Sequence, residues 1–189
     1  MSDHSSWNDL TEPSADQLAA VAESADRMRS ALVILVGDGD KSGTPAHFSQ
    51  DTDKLITELL LEADFTTDAV VRVGPKRSHI REAIQTGVVG GADLVLTIGG
   101  VGVGPRNKTP DATRDMLDQI LPGIGQALRA SALGCGAIDA SVSRGIAGVS
   151  GSTVIVNLAP SRAAIRDGMA TLGPLVHFVV DQLQKWSCD

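Results

Sequence analysis

Leu94-Val95-Leu96-Thr97-Ile98-Gly99-Gly100-Val101-Gly102-Val103-Gly104-Pro105-Arg106-Asn107-Lys108-Thr109-Pro110-Asp111-Ala112-Thr113 is an apolar run that passes directly into a glycine-dense loop and then into a helix start. Thr109 has the chemistry of an N-cap, Pro110 that of a first helical residue, and Asp111 places an acid where the helix dipole favours one. With Gly99, Gly100, Gly102 and Gly104 the loop has little side-chain bulk, so its N–H groups can close around an anionic or flat polar ligand. A strand, a glycine loop and a helix in this order make half of a βαβ unit, with the loop at the carboxyl end of the strand.

The same alternation extends in both directions. Upstream, an apolar strand Leu32–Val36 is followed by a polar loop to Gln50 and an amphipathic helix from Asp51 carrying Leu55, Ile56, Leu59 and Leu60. A second strand, Ala69–Val73, ends at Gly74-Pro75; a helix from Arg77 to Val88 then presents Ile80, Ala83 and Ile84 and stops at Gly90-Gly91. Downstream, Thr113–Leu121 and Gly125–Ala132 read as helices, and Ala147–Asn157 as a turn feeding one more apolar strand. A closing helix from Ser161 to Lys185 buries Ile165, Met169, Leu172, Leu175, Val176, Val179 and Leu183, with Gly173-Pro174 as a kink point. This order predicts an α/β fold: a mainly parallel twisted sheet with helices on both faces, binding its ligand beyond the carboxyl ends of the strands.

At 189 residues and 42% hydrophobic content the chain suits one domain, which we place at residues 31–189, preceded by a flexible or partly helical arm over residues 1–30. A formal net charge of −7 argues against nonspecific attachment to nucleic acid or to an anionic membrane. No apolar run has membrane-spanning length, and Cys135 and Cys188 lack metal-ligand spacing; both features predict a cytoplasmic protein. His4, His47, His79 and His177 are scattered and define no metal cluster, and Ser143 lacks the partners of a hydrolase triad.

No Gly-Lys-Ser/Thr closes a phosphate loop here, and no GxGxxG opens the helix. Written as T-x-G-G-x-G-x-x-P-R-x-x-T-P-x-A-T, the segment resembles the signature of the MogA/MoaB family, the molybdopterin-binding proteins of molybdenum-cofactor biosynthesis, whose fold also forms the adenylyltransferase domain of gephyrin. The likeness continues through Pro122-Gly123-Ile124-Gly125, Ser143-Arg144-Gly145-Ile146-Ala147-Gly148 and Asn157-Leu158. The resemblance implies the MogA/MoaB-like fold, molybdopterin as ligand, transfer of AMP from Mg-ATP to its phosphate, and a homo-trimer or hexamer. It implies a ligand-binding set of Thr97, Gly99, Gly100, Gly102, Pro105, Arg106, Thr109, Asp111, Ser143, Arg144, Asn157 and Ser161.

Three departures bear on activity. Lys76 and Asn107 stand where the resemblance implies two metal-holding aspartates. Lysine reverses the charge and asparagine offers only a neutral oxygen, so magnesium-dependent catalysis is expected to fall roughly a thousandfold or more. Pro160 follows Asn157-Leu158-Ala159 where the family turn carries glycine, so any anion contact there passes to Ser161 or Arg162. Asp38 and Asp40 follow the first strand and could supply carboxylates, although a solvated turn is the better reading of them. Arg106 also reads as a surface ion pair and Asp111 as an ordinary helix-start acid. Two functions follow: a molybdopterin-binding protein with impaired adenylylation, or a non-catalytic scaffold acting through protein–protein interaction or regulation, its partner unnamed by the sequence.

Overall fold

In the computed structural model, which describes residues 28–37 and 48–186, the apolar run Leu94–Ile98 is a strand, β3, with every residue buried. The other strands are β1 (Arg29–Val36), β2 (Phe65–Val73), β4 (Gln119–Ile120), β5 (Ala147–Ser150) and β6 (Thr153–Leu158). The helices are α1 (Gln50–Glu62), α2 (Arg77–Val89), α3 (Thr109–Arg114), α4 (Pro122–Gly134) and α5 (Arg162–Trp186), with a 3₁₀ turn over Ile138–Val142. One six-stranded sheet runs in the order β2-β1-β3-β6-β5-β4. Its first four strands are parallel, and β5 and β4 add an antiparallel edge. The expected mainly parallel α/β sheet is therefore borne out.

Alternation along the central strands divides the core between two faces. Val33, Leu35, Leu96, Ile98, Val154 and Val156 pack with Leu55 and Ile56 of α1, Ile124 of α4, and Ile165, Met169, Leu172 and Val176 of α5. Leu32, Ile34, Val36, Val95 and Ile155 pack with Ile80 and Ile84 of α2 and Ala112 of α3. Strands covered on both sides are apolar at nearly every position, which is why β1, β3 and β6 appear in the sequence as continuous runs.

Four local expectations are corrected. Thr113–Leu121 is not a helix. α3 ends at Arg114, and the chain extends so that Gln119 and Ile120 pair with Val149 and Gly148, with Leu121 N–H donating to the Ala147 carbonyl at 2.8 Å. A ladder available only in the folded sheet outweighs local helix preference. Ala147–Asn157 forms two antiparallel strands rather than a turn feeding one. β2 begins at Phe65 rather than Ala69, because its parallel register with β1 starts at Arg29 opposite Phe65. Thr109 is the first residue of α3 and Lys108 occupies the capping position, because the Thr109 hydroxyl is used elsewhere. α5 runs unbroken through Pro174. The N-terminal arm up to residue 27, Asp38, Asp40, His47 and Cys188 lie outside the described residues.

Candidate functional site

The parallel strands deliver four loops to one edge of the sheet: Gly37 after β1, Gly74-Pro75-Lys76 after β2, the glycine loop after β3, and Ala159-Pro160-Ser161 after β6. The segment Ser143–Ile146 enters antiparallel β5 at the same edge. All the sequence-predicted site residues come from these loops or from the strand and helix ends beside them.

Tertiary contacts clamp the glycine loop at its start. Gly99 and Gly100 have φ of +102° and +66°. A Cβ on Gly99 would lie 2.3 Å from the Val36 carbonyl oxygen, and one on Gly100 2.4 Å from Thr109 Oγ1. Positive φ and these close approaches both require glycine. Thr109 Oγ1 donates to the Gly99 carbonyl at 2.8 Å, and its N–H donates to Gly100 O at 3.2 Å. Gly99 N–H donates to Leu158 O at 2.9 Å, and Arg144 N–H to Val101 O at 2.8 Å, so β6 and the 143–146 segment hold the loop from the other side. The Asn107 side chain packs against Gly102 and Gly104, filling the space that a Cβ at either position would enter.

A buried polar chain lies beneath the loop. Asn157 donates from Nδ2 to Thr97 Oγ1 at 2.7 Å and to Thr113 Oγ1 at 2.9 Å, and its Oδ1 accepts from Ile146 N–H at 3.1 Å. Thr97, Thr109, Thr113 and Asn157 are all buried. Their polar atoms are used in joining β3, β6, α3 and the 143–146 segment. Ser161 is the N-cap of α5, its Oγ accepting from Ala164 N–H at 3.1 Å. Ser143 Oγ accepts from Gly145 N–H at 3.3 Å.

Two concavities flank the loop. On one side Gly100, Val101, Gly102 and Asn107 border a cavity of about 340 Å³, which Leu128, Ala132, Ala140, Val142, Leu158 and Pro160 make predominantly apolar. Its further polar groups include Ser143, Asn157, Ser161, Arg129, Cys135, Asp139 and Asp167. On the other side Val103, Gly104, Pro105 and Arg106 border a groove of about 980 Å³ that also collects Lys76, Arg77, Lys108, Asp111 and Arg144. Consecutive residues thus face different spaces: Ser143 lines the cavity and Arg144 the groove.

Among the described residues that line the groove, Lys76, Arg77, Arg106, Lys108 and Arg144 meet one carboxylate, Asp111, although the whole chain is acidic at −7. Arg144 is preset, donating to Asp111 at 2.6 Å and to the Asn107 carbonyl at 3.1 Å. Arg77 donates from Nε to Asp115 at 2.8 Å. That hydrogen bond and the guanidinium charge hold the Asp115 carboxyl below its ordinary value. In the cavity, Asp167 accepts from Ser131 at 2.6 Å and lies 3.6 Å from Cys135 Sγ. Its charge first, and that contact second, push the thiol up from its ordinary value.

Several lining residues were absent from the expected set. Arg77 and Lys108 adjoin motif residues, and their convergence on Arg144 exists only in three dimensions. Arg129 carried a readable signal as the lone charge in the otherwise uncharged helix Pro122–Gly134; it donates to the Gly145 carbonyl at 3.1 Å.

Comparison with known proteins agrees with this architecture. The sequence pattern of the family described as a probable molybdopterin binding domain matches residues 17–177. A molybdenum cofactor biosynthesis bifunctional protein of Synechococcus elongatus is 32% identical over 122 residues, 65% of this chain and 38% of that protein. A molybdopterin adenylyltransferase of Helicobacter pylori is 35% identical over 89 residues, 47% of this chain and 50% of that protein. The chain thus spans half or less of the length of these two curated relatives. A crystal structure of a molybdopterin biosynthesis protein from Mycobacterium abscessus superposes with a TM-score of 0.77 at 48% identity, covering 85% of this chain and 99% of that one.

Proposed function

The chain belongs to the molybdopterin-binding domain family of molybdenum-cofactor biosynthesis, and we propose that it binds molybdopterin at the glycine loop, with adenylylation impaired. The observation that carries this reading is the placement of the loop between an apolar cavity and a cationic groove. A ligand with a flat heterocyclic body and a phosphate needs both surfaces within its own length. The cavity supplies apolar contact with a few polar groups for orientation, and the groove supplies Arg106 and Arg144 for paired hydrogen bonds to phosphate oxygens. Thr97, Thr109 and Asn157 act indirectly in this reading, holding the loop backbone in the shape that meets the ligand.

The impairment follows from Lys76 and Asn107. Lys76 lies in the groove and the Asn107 side chain lies against Gly102 and Gly104, so neither contributes a carboxylate to the loop. The test is molybdopterin binding followed by single-turnover AMP transfer from Mg-ATP, comparing the native chain with Lys76→Asp/Asn107→Asp. Saturable binding that Arg106→Ala abolishes, with transfer appearing only in the double variant, supports the reading. Absence of binding refutes it, and transfer by the native chain at a useful rate refutes the impairment.

Apolar side chains exposed at the end of α4 and in the 3₁₀ turn after it favour an associating role as well. Ile138 is 82% exposed, Val142 55% and Leu133 46%. In this second reading the surface is the contact between copies in a homo-trimer or hexamer, or the face of a non-catalytic scaffold. Mass in solution tests it: a monomer whose mass is unchanged by Ile138→Asp removes the oligomer.

A further inference from the structure

We infer that Asp167 sets the ring specificity of the apolar cavity: its carboxylate takes the paired donors of a 2-amino-4-oxo heterocycle, the ring N3–H and the 2-amino group, and so selects a pterin over a 2,4-dioxo ring. The inference rests on the glycine loop being the ligand site, and goes beyond it in naming the side chain that tells one heterocycle from another. An ionised carboxylate only accepts, through two oxygens in one plane. The aminopyrimidinone edge of a pterin offers it two parallel N–H groups, the arrangement that makes paired, charge-assisted hydrogen bonds strong.

Among the described residues, the charged side chains lining the cavity are Arg129, Asp139 and Asp167. Arg129 donates to the Gly145 carbonyl at 3.1 Å and braces the entry to β5. Asp139 is exposed on the 3₁₀ turn, whereas Asp167, on α5, is partly buried. Asp167 is also held in place. Ser131 Oγ of α4 donates to its Oδ1 at 2.6 Å, and Cys135 Sγ lies 3.6 Å from the same oxygen. Both contacts fall on Oδ1, so Oδ2 and the remaining lone-pair direction of Oδ1 serve the ligand. Gly168 brings this carboxylate close to the sheet, because a Cβ there would lie 2.8 Å from Leu158 Cδ2 and push α5 off β6. Leu128, Ala132, Val142 and Leu158 make the wall around it apolar. Against such a wall a hydrogen bond to the carboxylate is strengthened, and a ring carbonyl turned towards it has no compensating partner. Two carboxylates facing one guanidinium also make the cavity a poor place for an anionic group and a good one for a donor-rich edge.

The experiment is fluorescence titration of the native chain, Asp167→Asn and Ser131→Ala with pterin and with lumazine, its 2,4-dioxo counterpart, with guanine as competitor and molybdopterin as full ligand. The native chain is expected to bind pterin about tenfold or more tighter than lumazine. Asp167→Asn is expected to reverse that preference: Ser131 holds the amide oxygen for the ring N3–H and turns the amide nitrogen to the 2-oxo group. Ser131→Ala should weaken pterin severalfold without reversing the preference. A purely structural Asp167 would lower both affinities alike in Asp167→Asn, and that result overturns the inference, as does equal binding of pterin and lumazine by the native chain. Guanine carries the same edge on a purine, and binding tighter than that of pterin would overturn the assignment to a pterin. Molybdopterin bound equally by the native chain and Asp167→Asn overturns this inference alone; no molybdopterin binding by the native chain overturns the reading of the loop as the ligand site.

Discussion

Asn157 donates its side-chain amide to the hydroxyl of Thr97 at 2.7 Å in a region closed to water, and the same amide group reaches Thr113 at 2.9 Å. One side chain thereby ties two neighbouring parallel strands to the helix that carries the glycine loop. Asn157→Ala is expected to leave two hydroxyls and the Ile146 N–H without this partner, destabilising the chain by about 3 kcal/mol. Urea denaturation measures the loss, and a midpoint shift equivalent to under about 0.5 kcal/mol would show that the chain of contacts is dispensable.

Gly99 and Gly91 both have positive φ, +102° and +74°, in different surroundings. An added methyl at Gly99 meets the Val36 carbonyl oxygen at 2.3 Å, whereas at Gly91 nothing lies within 4 Å. Gly91→Ala should therefore cost only the backbone strain of about 1 kcal/mol, and Gly99→Ala at least about 3 kcal/mol because strand and loop must separate. Thermal unfolding of the two variants side by side checks the ratio.

Arg144 and Asp111 form a half-exposed ion pair, with side-chain exposures of 39% and 34%. Pairs of this kind contribute little to folding, so Arg144→Ala should change stability by under about 1 kcal/mol while weakening anion binding severalfold. Denaturation and calorimetry on one preparation separate the two effects; equal losses in both would make Arg144 a purely structural residue.

Cys135 is exposed, but its thiol is pushed up by the charge of Asp167 and then by contact with it. The thiolate fraction at neutral pH is thus lower than that of an ordinary surface cysteine. Alkylation of Cys135 by iodoacetamide should be slow at pH 7, should accelerate as pH rises, and should be severalfold faster in Asp167→Asn. Mass spectrometry of the peptide containing Cys135 reads the rate, and identical rates in the two proteins would exclude control by Asp167.

Asp115 is held below its ordinary value by Arg77. Its contribution to stability is accordingly present above the normal carboxylate range and disappears as pH falls through the lowered folded-state value. Asp115→Asn should melt below the native chain at neutral pH, and the two melting curves should merge in acid. A gap that persists at the acid end would assign the difference to something other than ionisation.

The layered architecture was legible because it rests on local regularities. Buried parallel strands must be apolar along their length, amphipathic helices repeat every three to four residues, and the chain from Ala31 to Asn107 shows both in strict alternation. The position of the candidate site's glycine loop was legible for the same reason, since a loop directly after an apolar strand lies at the sheet's carboxyl edge wherever that sheet is parallel. Gln119-Ile120 was misread because its strand character comes from pairing with Gly148 and Val149, residues whose distance along the chain hides the partnership.

Residue type and periodicity along the chain were enough to specify a doubly covered, mainly parallel sheet and the glycine loop at its carboxyl edge. Through-space geometry assigned the roles at that edge. Asn157, Thr97 and Thr109 are turned inward to brace the loop because buried polar atoms must find partners. Lys76, Lys108 and Arg144 make a single cationic groove because the turns after β2 and β3 and the entry into β5 meet at one end of the sheet. A one-dimensional pattern encodes which faces are apolar, but hydrogen-bond partnership and summed charge depend on distances that exist only once the chain has closed upon itself.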